Sequence, residues 1–325
     1  MSEPDIFIIM FTYNHEKYIA KAIEGVLMQN TSYKYKLFIG EDSSTDNTRS
    51  ICVSYAEKYP DKIEVVSTKQ NNIKENARNI WDACFKSGAK YVAICEGDDY
   101  WIDPDKLQKQ VDFLEKNNDY SICFTSIAVV DELENKNYVP AAFLNFINDT
   151  YTVEDIIFHP PDKPLSLPMM TWVFRNVLPN PMPEFYLNAL QGDTVLSLLL
   201  GDKGKFKFLP EKTAAYRQHS GGITKSKEFQ LRFDRSMFDL FDSFNEYTHH
   251  KYHEVIKKRL YPLSQSLLMY GSSFLKGKER RKHILRMIIG YNKYRPSFNA
   301  KEIAYYNMVL FFPFVLKIHK FLSKK

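Results

Sequence analysis

Through the first 130 residues, short apolar runs alternate with segments whose apolar residues recur every three or four positions. Ile6–Phe11 has strand length and runs into the polar turn Thr12, Tyr13, Asn14, His15. Ile19, Ala22, Ile23, Val26 and Leu27 then mark an amphipathic helix. Leu37–Gly40 is a second strand, ending in the acidic, hydroxyl-rich turn Glu41–Asp46, and a helix follows through Tyr59 until Pro60 stops it. Ile63–Val66 is a third strand, Asn76–Ser87 a helix with Gly88 as its cap, and Tyr91–Cys95 a fourth strand that stops at Glu96, Gly97, Asp98, Asp99. Such alternation predicts an α/β fold, a mostly parallel sheet flanked by helices on both faces. Ligands of open parallel sheets bind beyond the carboxyl ends of the strands, where three of these polar turns lie.

Adjacent carboxylates at the end of a buried strand repel each other, and a divalent cation is their natural partner. Asp98 and Asp99 have that form. Asp99, Asp103 and Asp105 also suit the N-terminus of a helix starting near Pro104, and the residues alone leave both readings open. Asp193, ahead of the apolar run Val195–Leu200, is likewise either a helix cap or a reactive acid. Cys52, Cys84, Cys95 and Cys123 form no CxxC pair and read as buried free thiols in a reducing compartment. The first residues, MSEPDIFIIMF, lack a basic signal-peptide region, and the expected location is cytoplasmic.

In order along residues 5–222, these motifs resemble glycosyltransferase family 2, enzymes of the GT-A fold. Ile8–Asn14 resembles the family's first strand and turn. Gly40–Thr48 resembles its DDGSxDxT turn, with Glu41 at the first Asp and Ser43 at the Gly. Asn71 through Asn79 resembles NxGxxxARN, and Glu96–Asp99 resembles the DxDD form of the DxD motif. The resemblance implies an inverting, metal-dependent transferase acting on a nucleotide-diphosphate sugar, UDP-linked by preference. Asp42 would accept a hydrogen bond from the base, which suits an acceptor-only carboxylate. Thr12 and Tyr13 would line the nucleotide, with Tyr13 against the ring. Asn71 and Arg78 would reach it, Arg78 toward the diphosphate. Asp98 and Asp99 would hold Mn²⁺ or Mg²⁺, and Asp98 would also meet the donor. Asp193 would be the general base, and His219, in Tyr216–Gly222, which resembles a YRxHxxS loop, a further metal ligand. Trp172 and Arg175 fall where the family's acceptor side begins, though Trp172 equally suits the core. Absence of a QxxRW signature favours addition of one sugar.

The formal charge of +5 conceals two halves. Residues 250–325 carry 17 Lys or Arg and three acids, leaving 27 bases and 36 acids before them. With a helical period from Phe229 onward, this divides the chain into a transferase domain, 1–225, and a basic, mainly helical region, 226–325. His249 and His250 read as part of a solvated helix. Residues 303–316 are uncharged but too short to span a bilayer, for which about 20 residues are needed. With the flanking Lys317, Lys320, Lys324 and Lys325, residues 303–325 suit either peripheral contact with the cytoplasmic face of a membrane or packing on protein. The acceptor would then be a glycan or a lipid-linked sugar in surface polysaccharide assembly. No nucleic-acid motif accompanies the basic segment. Two other readings stand beside the transferase: a non-catalytic sugar-nucleotide-binding or scaffold protein on the same fold, and a nucleotidyltransferase. The second would need a Gly-rich loop after the first strand, where Thr12–His15 has no glycine.

Overall fold

A computed structural model describes residues 3–131, 146, 148–158, 165, 167–219, 227–267 and 277–294. The alternation predicted for the N-terminal part is present: β1 (Ile6–Thr12), α1 (Ile19–Leu27), β2 (Tyr35–Glu41), α2 (Thr48–Lys58), β3 (Ile63–Ser67), α3 (Ile73–Lys86) and β4 (Tyr91–Ile94). Five of the seven β1 residues are apolar and fully buried, because helices cover both faces of the strand. Ile6, Ile8 and Met10 share one face with Ile19, Ala22, Ile23 and Val26 of α1. Each fully buried aliphatic side chain of this kind contributes about 1.5–3 kcal/mol. Gly88 takes the left-handed conformation, φ +68°, that a helix end requires after α3.

Beyond β4 the elements are β5 (Tyr100–Trp101), α4 (Lys106–Lys116), β6 (Tyr120–Asp131), β7 (Thr150–Tyr151) and α5 (Val153–Ile157). A 3₁₀ turn at Met169–Thr171, β8 (Val173–Arg175), α6 (Glu184–Asn188), α7 (Gly192–Gly201) and β9 (Lys205–Gln218) follow. One sheet runs β3-β2-β1-β4-β8-β6-β9-β5, with β7 on β9. Its first four strands are parallel, as the alternation requires. β8 is antiparallel to both neighbours, and β9 is parallel to β6 but antiparallel to β5 and β7, so the sheet as a whole is mixed. The β6–β9 register slips where Leu209 pairs with Thr125 but Lys212 with Ser126. Pro210, which has no N–H for the ladder, lies in the slip.

The helix expected near Pro104 begins at Lys106, and no acid side chain caps it. Asp103 instead accepts the Asp105 amide, 2.9 Å. The chain divides into two compact units, Met1–Asn188 with Gly192–Gly222, and Ala189–Gln191 with Ile223–Lys325. Described residues of the second unit form α8 (Lys227–Tyr247), α9 (His253–Ser266) and α10 (Gly277–Tyr294). His249 and His250 are not helical: both have positive φ, 50° and 63°, in the turn that ends α8. There the His250 amide returns to Asn245 O, 2.8 Å. No helix among the described residues is long and apolar enough to cross a membrane. Residues 303–325, with the membrane contact expected of them, and residues 220–222 of the His219 loop lie outside the described residues.

Candidate active site

The turns after β1 and β2 are laced together by side chains. Asn14, at φ 54°, accepts the Thr45 amide at 2.8 Å and hydroxyl at 3.2 Å through its Oδ1. The His15 amide donates to Thr48 Oγ1, 2.7 Å, and the Glu16 amide to Asp46, 3.1 Å. Glu41 is fully buried, with one oxygen on the Ser44 amide, 2.6 Å, and the other 3.5 Å from Arg49. A glutamate therefore replaces the family's aspartate while shaping the turn from within. Asp42 is buried beside it, and its Oδ1 accepts from the Thr68 hydroxyl, 2.9 Å, and the Asn72 amide, 2.8 Å. Its own amide donates to Thr12 O, 3.1 Å. Tyr13 is 40% exposed at the mouth of these turns, free to meet a planar ring.

Asn71, expected to reach the nucleotide, is exposed. Asn72 caps α3, accepting the Glu75 amide at 3.3 Å, while its own amide holds Asp42. Arg78 is exposed on α3, 3.6 Å from Glu184.

The turn after β4 docks onto the turn after β1. A Cβ on Gly97 would lie 2.7 Å from Thr12 Oγ1 and 3.0 Å from His15 Nδ1, so only glycine lets the two turns approach. Asp98 Oδ2 stands 3.2 Å from His219 Nε2 and 3.9 Å from His15 Nε2. Asp99 is 4% exposed and points to β9, where its Oδ1 accepts the Arg217 amide, 2.8 Å. Arg217 Nε donates to Asp98 O, 2.9 Å, and its guanidinium lies over the rings of Tyr18 and Tyr100, at 4.7 and 5.2 Å. The residues that sequence reasoning passed over are thus His15, Tyr18 and Arg217. His15 and Arg217 stood in the quoted turns; Tyr18 carried no signal.

Burial sets the electrostatics. It pushes the Glu96 carboxyl up to about 8, with Asp98 and Asp193 adding to the shift, and Glu96 Oε2 has no hydrogen-bond partner. Burial, then Glu96 and Asp98, raises Asp99 well above the carboxylate range. Asp193, at the start of α7, is raised by burial although the Thr194 amide donates to its Oδ1 at 2.7 Å. Burial also lowers His15, against the pull of Asp98. Four acids thus act on one another: Glu96, Asp98 and Asp99 from one turn, and Asp193 about a hundred residues later.

The expected metal ligands Asp98, Asp99 and His219 do not form a three-residue cluster, and no such cluster occurs among the described residues, because Asp99 is engaged by β9. Two of them still fit a cation. Neighbouring ligands of an octahedral ion, each about 2.1 Å from it, stand about 3 Å apart, the spacing of Asp98 Oδ2 and His219 Nε2. Glu96 Oε2, two residues before Asp98, has no hydrogen-bond partner. Trp172 is 1% exposed and belongs to the core, and Arg175 holds Tyr120 O, 2.9 Å; neither offers a sugar a surface.

Comparisons with known proteins bear on the family and the fold. Rv1520 of Mycobacterium tuberculosis is 31% identical over 222 residues, 67% of this chain and 60% of that protein, so the match spans less than two thirds of the relative's length. The minor teichoic acid biosynthesis protein GgaB of Bacillus subtilis is 36% identical over 96 residues, 29% of this chain and 10% of GgaB. The crystal structure of S. aureus TarS 1–349 in complex with UDP has the same fold, with TM-score 0.59 and 18% identity over 91% of this chain and 81% of TarS 1–349. The model of glycosyl transferase family 2 matches residues 7–178, more than half of the sequence, and the chain belongs to that family.

Proposed function

We propose that this chain transfers one sugar from a nucleotide-diphosphate donor, a UDP-sugar by preference, to an acceptor hydroxyl with inversion at the anomeric carbon. The observation that carries the reading is the approach of Asp98 Oδ2 to His219 Nε2, 3.2 Å, where the turns after β4 and β9 meet. Asp42 and Tyr13 border the nucleotide end, and the UDP in the TarS complex supports a uridine donor. Asp98 and His219 would hold Mn²⁺ or Mg²⁺, which supplies positive charge against the diphosphate as it leaves. Asp99 and Arg217 keep the two ligand-bearing turns together.

Asp193 takes the proton of the attacking hydroxyl. The new bond joins that oxygen to the anomeric carbon while the bond to the diphosphate breaks on the opposite face. Burial makes the Asp193 carboxylate more basic than a solvated one, which suits proton removal. The acceptor is a glycan or lipid-linked sugar of surface-polymer assembly, as the name of GgaB and the basic residues 250–325 suggest. Screening nucleotide sugars with Mn²⁺ or Mg²⁺ tests the reading: nucleoside diphosphate should be released, and NMR should show an inverted anomeric centre. Binding without release under every acceptor tried would favour a non-catalytic sugar-nucleotide-binding protein, and retained configuration would contradict the role of Asp193.

A further inference from the structure

Lys106 opens α4 with no exposed surface, inside the core and outside the acidic cluster. Its Nζ donates to Gln110 Oε1, 2.7 Å, and to Thr171 O, 3.0 Å, and lies 4.5 Å from the centre of the Trp101 ring. Methionine would fill nearly the same volume without the desolvation of a cation, so packing alone does not explain a lysine here. What an ammonium adds is N–H donors, two of which meet fixed acceptors.

Those acceptors join two stretches of chain far apart in sequence. Trp101 Nε1 donates to Met170 O, 2.7 Å, directly beside the Thr171 carbonyl that Lys106 holds. Gln110 Nε2 reaches the same Thr171 carbonyl, 2.9 Å, and Cys123 O of β6, 2.6 Å. Thr171 Oγ1 in turn accepts the Thr125 amide, 3.2 Å, and the Ile94 amide meets Trp172 O at the end of β4, 3.4 Å. Trp101 follows Asp99 by two residues, and β5 pairs with β9 at Ala214 and Ala215, just before Arg217 and His219.

We propose that Lys106 is a positioning residue for transfer, a buried brace that fixes the Asp98–Trp101 turn and the end of β9 against the Met170–Trp172 turn. It touches neither donor nor cation. Its effect passes through the Trp101 ring and the Met170 and Thr171 carbonyls to the carboxylates. Burial also lowers its ammonium to about 7.

The inference rests on the proposed transferase reading, and two measurements on Lys106→Met separate their failures. Hydrogen exchange of the full chain should quicken by about tenfold or more in peptides covering residues 95–103 and 168–174, and stay unchanged in β2, with the thermal midpoint kept or raised. Turnover of a UDP-sugar accepted by the wild type should lose at least about tenfold in kcat, with the donor KM moving less than about threefold. Unchanged exchange would overturn the brace whether or not any donor is turned over. Faster exchange with unchanged kcat would reduce Lys106 to a structural residue and overturn the role in transfer. Should the single variant not fold, Lys106→Met with Gln110→Leu removes the stranded amide together with the cation and gives the same two readouts.

Discussion

Two groups of acids, one in each unit, are treated in opposite ways. At the carboxyl ends of the strands, Asp99 is buried and Glu96 and Asp193 are half-buried; desolvation pushes all three upward, and one Glu96 oxygen has no partner. In the helical unit, Asp242 and Glu246 share Lys293, at 2.5 and 2.6 Å, and Glu246 is held below the carboxylate range by that lysine. An acid already supplied with its cation is an ordinary structural pair. A group of buried acids short of positive charge is destabilising by itself, and its place in the fold is understandable where a ligand brings the missing charge.

The largest test of this contrast is Asp193→Asn. Transfer should fall by about 10²–10⁴-fold while donor binding survives and the thermal midpoint holds or rises, since a buried carboxylate has been neutralised. Steady-state kinetics beside a donor-binding titration would show it. Next, Asp98→Asn or His219→Gln should weaken Mn²⁺ affinity by about 10–100-fold, read by calorimetry in the presence of UDP.

A pH experiment follows from Glu96. Unfolded, its carboxyl gives up a proton near 4.5; folded, near 8. Between those values the folded state binds more protons, so stability of the metal-free protein should decline as pH rises from 4.5 toward 8. Glu96→Gln should flatten that decline, and thermal melts across the interval measure it. Smallest is Asp242→Asn in the helical unit. Its pair with Lys293 is partly exposed, so the change should take at most about 1 kcal/mol from stability in denaturant titrations and leave transfer untouched.

The parallel half of the fold was readable because each strand is a short apolar run and each helix keeps its period on one face, as in β1 and α1. The mixed half was not. β8 is three residues long, β5 two, and β9 is interrupted by Pro210, so none presents a sustained pattern. Their pairing depends on partners tens of residues away, which local periodicity does not encode. Similar logic divides the site. Asp42, Asp98 and Asp193 stand in recognisable turns, and the structure brings Asp98 to 3.2 Å from His219. The hold on Asp42 comes from the Thr68 hydroxyl and the Asn72 amide, which the turn alone does not announce. One oxygen of Asp99 is taken up because the end of β9, over a hundred residues later, delivers an amide to it. Lys106 looked like any lysine in a first helical turn, and only the packing of Trp101 and Thr171 around it shows otherwise.

The most direct measurement is UDP binding by calorimetry with and without Mn²⁺, for the wild type and for Asp98→Asn. If the turns after β1, β2, β4 and β9 form one diphosphate site, Mn²⁺ will tighten UDP binding by the wild type and lose that effect in the variant. UDP affinity that ignores both the cation and the substitution would contradict it.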